Sequence, residues 1–198
     1  MEQSLQNMKA KFDEQEILEK AMLLFWKYGF QHCSMAILKK ELGLSASSIY
    51  YAWGNKEGLF KKAVEQYGQK VTRLLVQKLK QQENGYQSIV DLFQFAIDFH
   101  TTQNNWGCLN TNTIAEMGVN DHKISSLSIQ LSTTLEQTFV ETIVRGQEQK
   151  NINPNHNPVI LANFLMTVLF GLQVRVKANE AIRDRVNKIM PLIEHNLK

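Results

Sequence analysis

Apolar residues recur along most of this chain at helical spacing, and no run alternates with period two over a useful length. Ile17, Leu18, Ala21, Leu24, Phe25 and Tyr28 fall on one face of a 3.6-residue period and predict a first helix that Gly29 ends. Ser34 is placed to cap a second helix through Leu42, where Gly43 makes the next stop. Ser45 caps a third, running from Ala46 to about Trp53, on which Ile49 and Trp53 lie four apart and turn inward together. The opposite face is left free. Gly54 and Asn55 then introduce a long fourth helix from Lys56 to about Gln82. A helix, a tight glycine-containing turn and a short second helix are the parts that lay a recognition helix in the major groove of DNA.

Beyond the fourth helix the pattern breaks at Asn84-Gly85, 103–105, 118–121 and 151–158. Each break separates an apolar stripe. Ile89, Leu92, Phe93, Ala96 and Phe99 make one, Ile124, Leu127, Leu131, Leu135 and Phe139 the next, and Ile182, Val186, Ile189 and Ile193 the last. The segment from Val159 to Val176 is apolar on most faces, so it must be covered on most faces. Together with the helix from Ile124 to Arg145 it is the candidate for a two-fold four-helix interface between two copies of the chain, with a monomer as the competing reading. The run from Val159 to Val174 is interrupted by Asn163, Thr167 and Gln173 and falls short of the ~20 residues that span a bilayer, so no membrane segment is expected. The fold class is all-α, with an N-terminal domain over residues 1–60 and an all-helical domain over residues 61–198.

Charge sharpens this division. The net formal charge of +3 is uninformative, but residues 1–80 carry 13 Lys+Arg against 8 Asp+Glu, whereas the remainder carries 9 against 11. The basic part is therefore the part with the helix-turn-helix pattern, as attraction to phosphate requires, although a solvated surface accounts for the same bias. Cys33 and Cys108 are too few for a disulfide framework and suit a reducing, cytoplasmic compartment. Met1 to Phe12 lacks the apolar core of a signal peptide; Lys9 and Lys11 there read either as a loose arm reaching phosphate or as a start without a role.

The segment Gly43-Leu44-Ser45-Ala46-Ser47-Ser48-Ile49-Tyr50-Tyr51-Ala52-Trp53-Gly54-Asn55-Lys56-Glu57-Gly58-Leu59-Phe60 resembles the signature of the tetracycline-repressor (TetR) family of transcriptional regulators, G-V-S-x-x-x-L-Y-x-x-F-x-x-K-E-x-L. Gly29-Phe30 stands where that family carries Gly-Tyr or Gly-Phe. Cys33 replaces a common Thr, Trp53 replaces Phe, and Ala52 replaces a frequently polar residue. The resemblance implies an N-terminal three-helix DNA-binding domain and a helical effector-binding and dimerisation domain. Its partners would be a pseudo-palindromic double-stranded operator, a second copy of the chain and a small-molecule effector. By the same resemblance Tyr50 and Lys56 take the family's phosphate-contacting positions. Ser34, at the start of the second helix, offers its hydroxyl or amide to a phosphate or serves as a cap alone; Ser45 caps the third, where the short Ala46, Ser47 and Ser48 let the backbone press close to the groove, and Ser47 and Tyr51 are placed to meet base edges or thymine methyls. Core packing competes for Tyr50; Lys56 has little packing value.

An effector pocket is expected among Phe95, Phe99, Trp106, Met117, Phe139, Phe164, Met166 and Phe170, with Asn110, Asn112 and His100 available for orientation, and core packing is the competing role for most of these residues. Trp106 to Thr113 resembles a G-C-L-x-x-N-T segment of a subset of the family, and in some of those members the cysteine serves as a sensor of oxidants or electrophiles. Cys108 is thus either a sensor at a helix start or a small buried hydrophobe. No cofactor, metal site or catalytic residue is expected. Nucleotide-binding glycine patterns and G-x-S-x-G are absent, and the five histidines make no i, i+4 pair. The leading function is a ligand-responsive transcriptional regulator, most often a repressor. An architectural DNA binder without a ligand competes with it, and an enzyme or carrier on a degenerate helix-turn-helix stands third.

Overall fold

A computed structural model of the chain describes residues 13–102, 105–117, 122–177 and 182–198. Lys9 and Lys11, and the breaks at 103–104 and 118–121, lie outside the described residues. Those residues contain helices and connections, and no strand. They divide into two compact units between Tyr67 and Gly68, within a helix and later than the expected division after residue 60.

The first unit contains α1 (Glu14–His32), α2 (Met35–Leu42), α3 (Ala46–Trp53) and the opening turns of α4 (Lys56–Gln81). Asp13 starts α1 by accepting the amides of Gln15 and Glu16 at 2.9 and 3.3 Å. Gly29 sits inside α1 with φ 75° and kinks the helix, which resumes to His32, so the expected end at Gly29 is a break within one element. An aromatic cluster closes the core. The ring of Phe60 lies 4.9 Å from those of Phe25 and Phe30, and Trp26 meets Tyr67 edge-on at 4.8 Å. These contacts, with buried Ala63 and Val64, hold the first turns of α4 in the first unit and explain why the division falls after Tyr67.

The second unit contains the rest of α4, then α5 (Gly85–Thr102), α6 (Leu109–Met117), α7 (His122–Glu148), α8 (Pro158–Lys177) and α9 (Ile182–Leu197). Helix α7 packs on α5, α6 and α8; α8 also meets α5, α6 and α9. The start of α5 lies tightly against α7, because a Cβ on Gly85 would stand 2.7 Å from the backbone of Gly146. The Arg145 guanidinium donates to the Leu79 carbonyl at 2.9 Å and to the Ser88 hydroxyl at 3.2 Å, tying the end of α4 to α5 and α7. The stripes read from the sequence face this core at Ile89, Leu92, Phe93, Ala96, Leu135, Phe139, Val186 and Ile193. The side chains of Ile124, Leu127 and Leu131 lie outside the described residues.

The helix expected over Val159 to Val176 is found as α8, one residue longer at each end. Asn157 caps it through the amides of Val159 and Ile160, and Arg175 and Lys177 lie in its last turn. The helix therefore reaches 20 residues, long and apolar enough by those two measures to cross a membrane. Its inner face is packed within the unit through Leu161, Leu165, Leu169, Leu172 and the buried Gln173.

Candidate nucleic-acid interface and effector cavity

The turn between α2 and α3 is set by two serines and one glycine. Ser34 Oγ accepts the Ile37 amide at 3.2 Å, Gly43 ends α2 in the left-handed region at φ 67°, and Ser45 Oγ accepts the Ser48 amide at 3.1 Å. The Ser45 hydroxyl also meets those of Ser47 at 2.8 Å and Ser48 at 2.9 Å. Three hydroxyls are thus gathered at the start of α3, beside its orphan amides and the positive end of its dipole.

Helix α3 divides sharply by face. Ile49 is fully buried and Trp53 nearly so, whereas Tyr50 and Tyr51 are 50% and 52% exposed. Core packing as the role of Tyr50 is thereby overturned, since half of this large ring faces outward. Ser34, Ser45 and Ser47 are exposed, and Ala46 and Ser48 half-exposed, on the same short segment. An exposed aromatic pair beside hydroxyls and unpaired amides can meet sugar, phosphate and base edges.

Lys56, the other expected phosphate contact, is half-buried with its ammonium 4.3 Å from the centroid of the Phe30 ring. The expectation that it has little packing value does not hold, because this contact fixes it against the aromatic cluster by cation–π attraction. The Lys56 charge also acts on Cys33. Burial pushes that thiol up from 9.0 to about 11, and the Lys56 ammonium partly offsets the rise. Immediately before Lys56, Asn55 Oδ1 accepts the Gly58 amide at 2.7 Å and caps α4. Gly58 is required sterically: a Cβ there would lie 2.0 Å from the Trp53 carbonyl oxygen.

In the second unit, α4, α6, α7 and α8 line a cavity of about 30 Å³. Of the residues expected to line a pocket, Cys108, Asn110 and Phe170 reach it; Val71, Leu75 and Gln173, which the sequence did not single out, line it as well. Phe95 and Phe99 instead lie ring to ring at 6.0 Å, with the Lys78 ammonium over Phe95. Phe139, Met117 and Met166 are buried but outside this cavity, and Phe164 points outward at 42% exposure. Trp106 and Asn112 are half-buried and joined by a 2.9 Å bond from the Asn112 side-chain amide to the Trp106 carbonyl. The side chain of His100 lies outside the described residues. Cys108 is 5% exposed and directly precedes α6, and its carbonyl accepts the Asn112 amide at 2.9 Å.

A wider hollow of about 610 Å³ lies beside Asn151 and Ile152, walled by Gln147, Glu148, Lys150 and Lys198, several of them fully solvent-facing. It is a surface cleft and not an enclosure. Among the described residues no three His, Cys, Asp or Glu side chains gather as metal ligands.

Residues 17–63 match the family model described as bacterial regulatory proteins, tetR family. The chain is similar to the HTH-type transcriptional repressor ComR of Escherichia coli (strain K12), at 25% identity over 173 residues that cover 86% of this chain and 82% of ComR. It is also similar to the uncharacterized HTH-type transcriptional regulator YezE of Bacillus subtilis (strain 168), at 25% identity over 93% of this chain and 97% of that protein. Among solved structures, a cysteine mutant of the TetR family transcriptional regulator CifR complexed with 26-bp double-strand operator DNA superposes with a TM-score of 0.78 at 25% identity, covering 94% of this chain and 96% of that one.

Proposed function

The chain belongs to the TetR family of transcriptional regulators, and from that premise we propose that it represses by binding a pseudo-palindromic operator as a homodimer and leaves it when a small molecule binds the second unit. It is a DNA-binding transcriptional regulator and not an enzyme. The observation that carries the finer reading is the division of α3, with Ile49 and Trp53 buried on one side and Tyr50 and Tyr51 half-exposed on the other, beside three serine hydroxyls. A short capped helix with one face buried and the other bare suits the major groove. Tyr50, Lys56 and Ser34 are assigned to phosphate and Ser47 and Tyr51 to base edges or thymine methyls, while Ser45 caps the helix and the short Ala46 and Ser48 let its first turn approach the groove closely.

Dimerisation is supported by the outer face of α8. Ile160, Phe164 and Val174 are 70%, 42% and 51% exposed there, and a Cβ on Gly171 would meet no atom within 4 Å, so a second helix has room to approach. Two recognition helices about one DNA turn apart then read two half-sites. Release is supported by α4, which begins with Lys56 in the first unit and contributes Val71, Thr72 and Leu75 to the cavity in the second. A ligand that prefers one placement of α4 lowers DNA affinity by its own difference in affinity for the two states.

The assignments are tested by anisotropy titrations of a preferred and a shuffled duplex at two salt concentrations. Ser47→Ala and Tyr51→Phe are expected to reduce the difference between the two duplexes, and Tyr50→Phe to weaken both alike. Equal losses on both duplexes for all three variants would remove the assignment of base reading to Ser47 and Tyr51.

A further inference from the structure

The cavity at the start of α6 has a composition that selects its occupant by charge. None of the side chains lining it is a carboxylate, ammonium, guanidinium or imidazole. Leu75, Ile114, Leu135 and Phe170 supply its apolar walls. An ion entering such a wall would lose its hydration and gain no counter-charge.

Its polar groups are specific. Asn110 Oδ1 is buried and has no hydrogen-bond partner, so an acceptor is left open inside the protein. Across the cavity Gln173 is 3% exposed, and its Oε1 already accepts the Thr111 hydroxyl at 2.8 Å. Gln173 still has its side-chain amide N–H to offer, besides the second lone pair of that oxygen. One wall therefore asks for a donor and another offers one.

We infer that this cavity takes a small uncharged molecule whose head both donates and accepts a hydrogen bond, as a primary carboxamide does, with a short apolar body against Leu75 and Phe170. The inference rests on the effector reading above and gives that effector its chemical class. At about 30 Å³ the cavity holds little more than a water molecule, so binding parts its walls. Ile114, at 37% exposure, is the most exposed of the wall residues.

The test is an NMR titration of the full-length protein with isobutyramide, isobutyrate and isopropylammonium, probes of similar shape and different charge. Isobutyramide is expected to move the amide resonances of α6 saturably in the millimolar range, with both ions weaker by about tenfold or more. Asn110→Ala should weaken isobutyramide by about tenfold, and Asn110→Asp should move the preference to the cation. Preference for either ion in the unaltered protein, or an isobutyramide titration that leaves α6 unmoved, overturns the inference; the second result is expected if a buried water alone satisfies Asn110. Should Asn110→Ala not fold, the three-probe comparison on the unaltered protein still decides. Retention of DNA in saturating isobutyramide would keep the chemistry of the site and remove its effector role. DNA binding without any binding of the amide would leave the regulator standing and this inference fallen.

Discussion

The Lys56 ammonium stands 4.3 Å from the centroid of the Phe30 ring, so the first residue of α4 is anchored on the aromatic core beneath the helix-turn-helix. A lysine free in solvent must lose rotamer freedom when it meets a phosphate; one already held on a ring loses less. Lys56→Gln is expected to weaken binding to every duplex and to lower the slope of log affinity against log salt by about one per protomer. Phe30→Leu keeps the charge and removes the platform, so it should leave the slope unchanged while weakening binding less. Loss confined to one duplex sequence would contradict a phosphate role for Lys56.

Cys33 gives the first unit an alkaline limit. Its thiol is held protonated by burial up to about 11 in the folded chain, against 9.0 when exposed, despite the opposing Lys56 charge. The folded state therefore binds this proton more tightly than the unfolded state does. The stability it contributes is complete below pH 9 and is lost as pH rises through 11. Unfolding measured across that window should show the decline in the natural protein and a smaller one in Cys33→Ala. Iodoacetamide should label Cys33 only on unfolding.

Gly58 has no room for a methyl group, since its Cβ would lie 2.0 Å from the Trp53 carbonyl oxygen. Gly58→Ala must push the start of α4 away from the end of α3, against the usual helix preference for alanine. A loss of about 2 kcal/mol in urea unfolding is expected, with DNA binding weakened. Stabilisation instead would show that the junction can relax freely.

Phe164 and Ile160 lie outward on α8, four residues apart and 42% and 70% exposed. Phe164→Glu is expected to give a monomer at micromolar concentration by light scattering, without loss of helical signal, because a charge on this outward position opposes a second apolar face. A variant that remains dimeric would move the interface off this face.

Much of the first unit was legible in the chain because its signals are local. Ser34, Gly43, Ser45 and Asn55 act on amides or dihedral angles within three residues of themselves, and the structure shows those caps. The inward pairing of Ile49 and Trp53 follows from helical period alone. The seat of Lys56 on Phe30 was not legible, since it depends on how α1 and α4 meet. For the same reason the cavity drew only Cys108, Asn110 and Phe170 from the expected lining. Periodicity says that Phe139 and Met166 turn inward; it does not say which helix receives them. Helix α8 was legible to within one residue at each end, the expected Val159 to Val176 being extended by Pro158, which is at home in an opening helical turn, and by Lys177, a cation that suits a closing one.

The most direct test of the central claim is selection of bound sites from a random duplex library, followed by affinity measurement at two salt concentrations. Enrichment of a pseudo-palindrome with half-sites about one helical turn apart, bound far more tightly than random sequence, is the result expected of a dimeric sequence-specific repressor. Uniform binding governed by salt alone would contradict it and favour an architectural role.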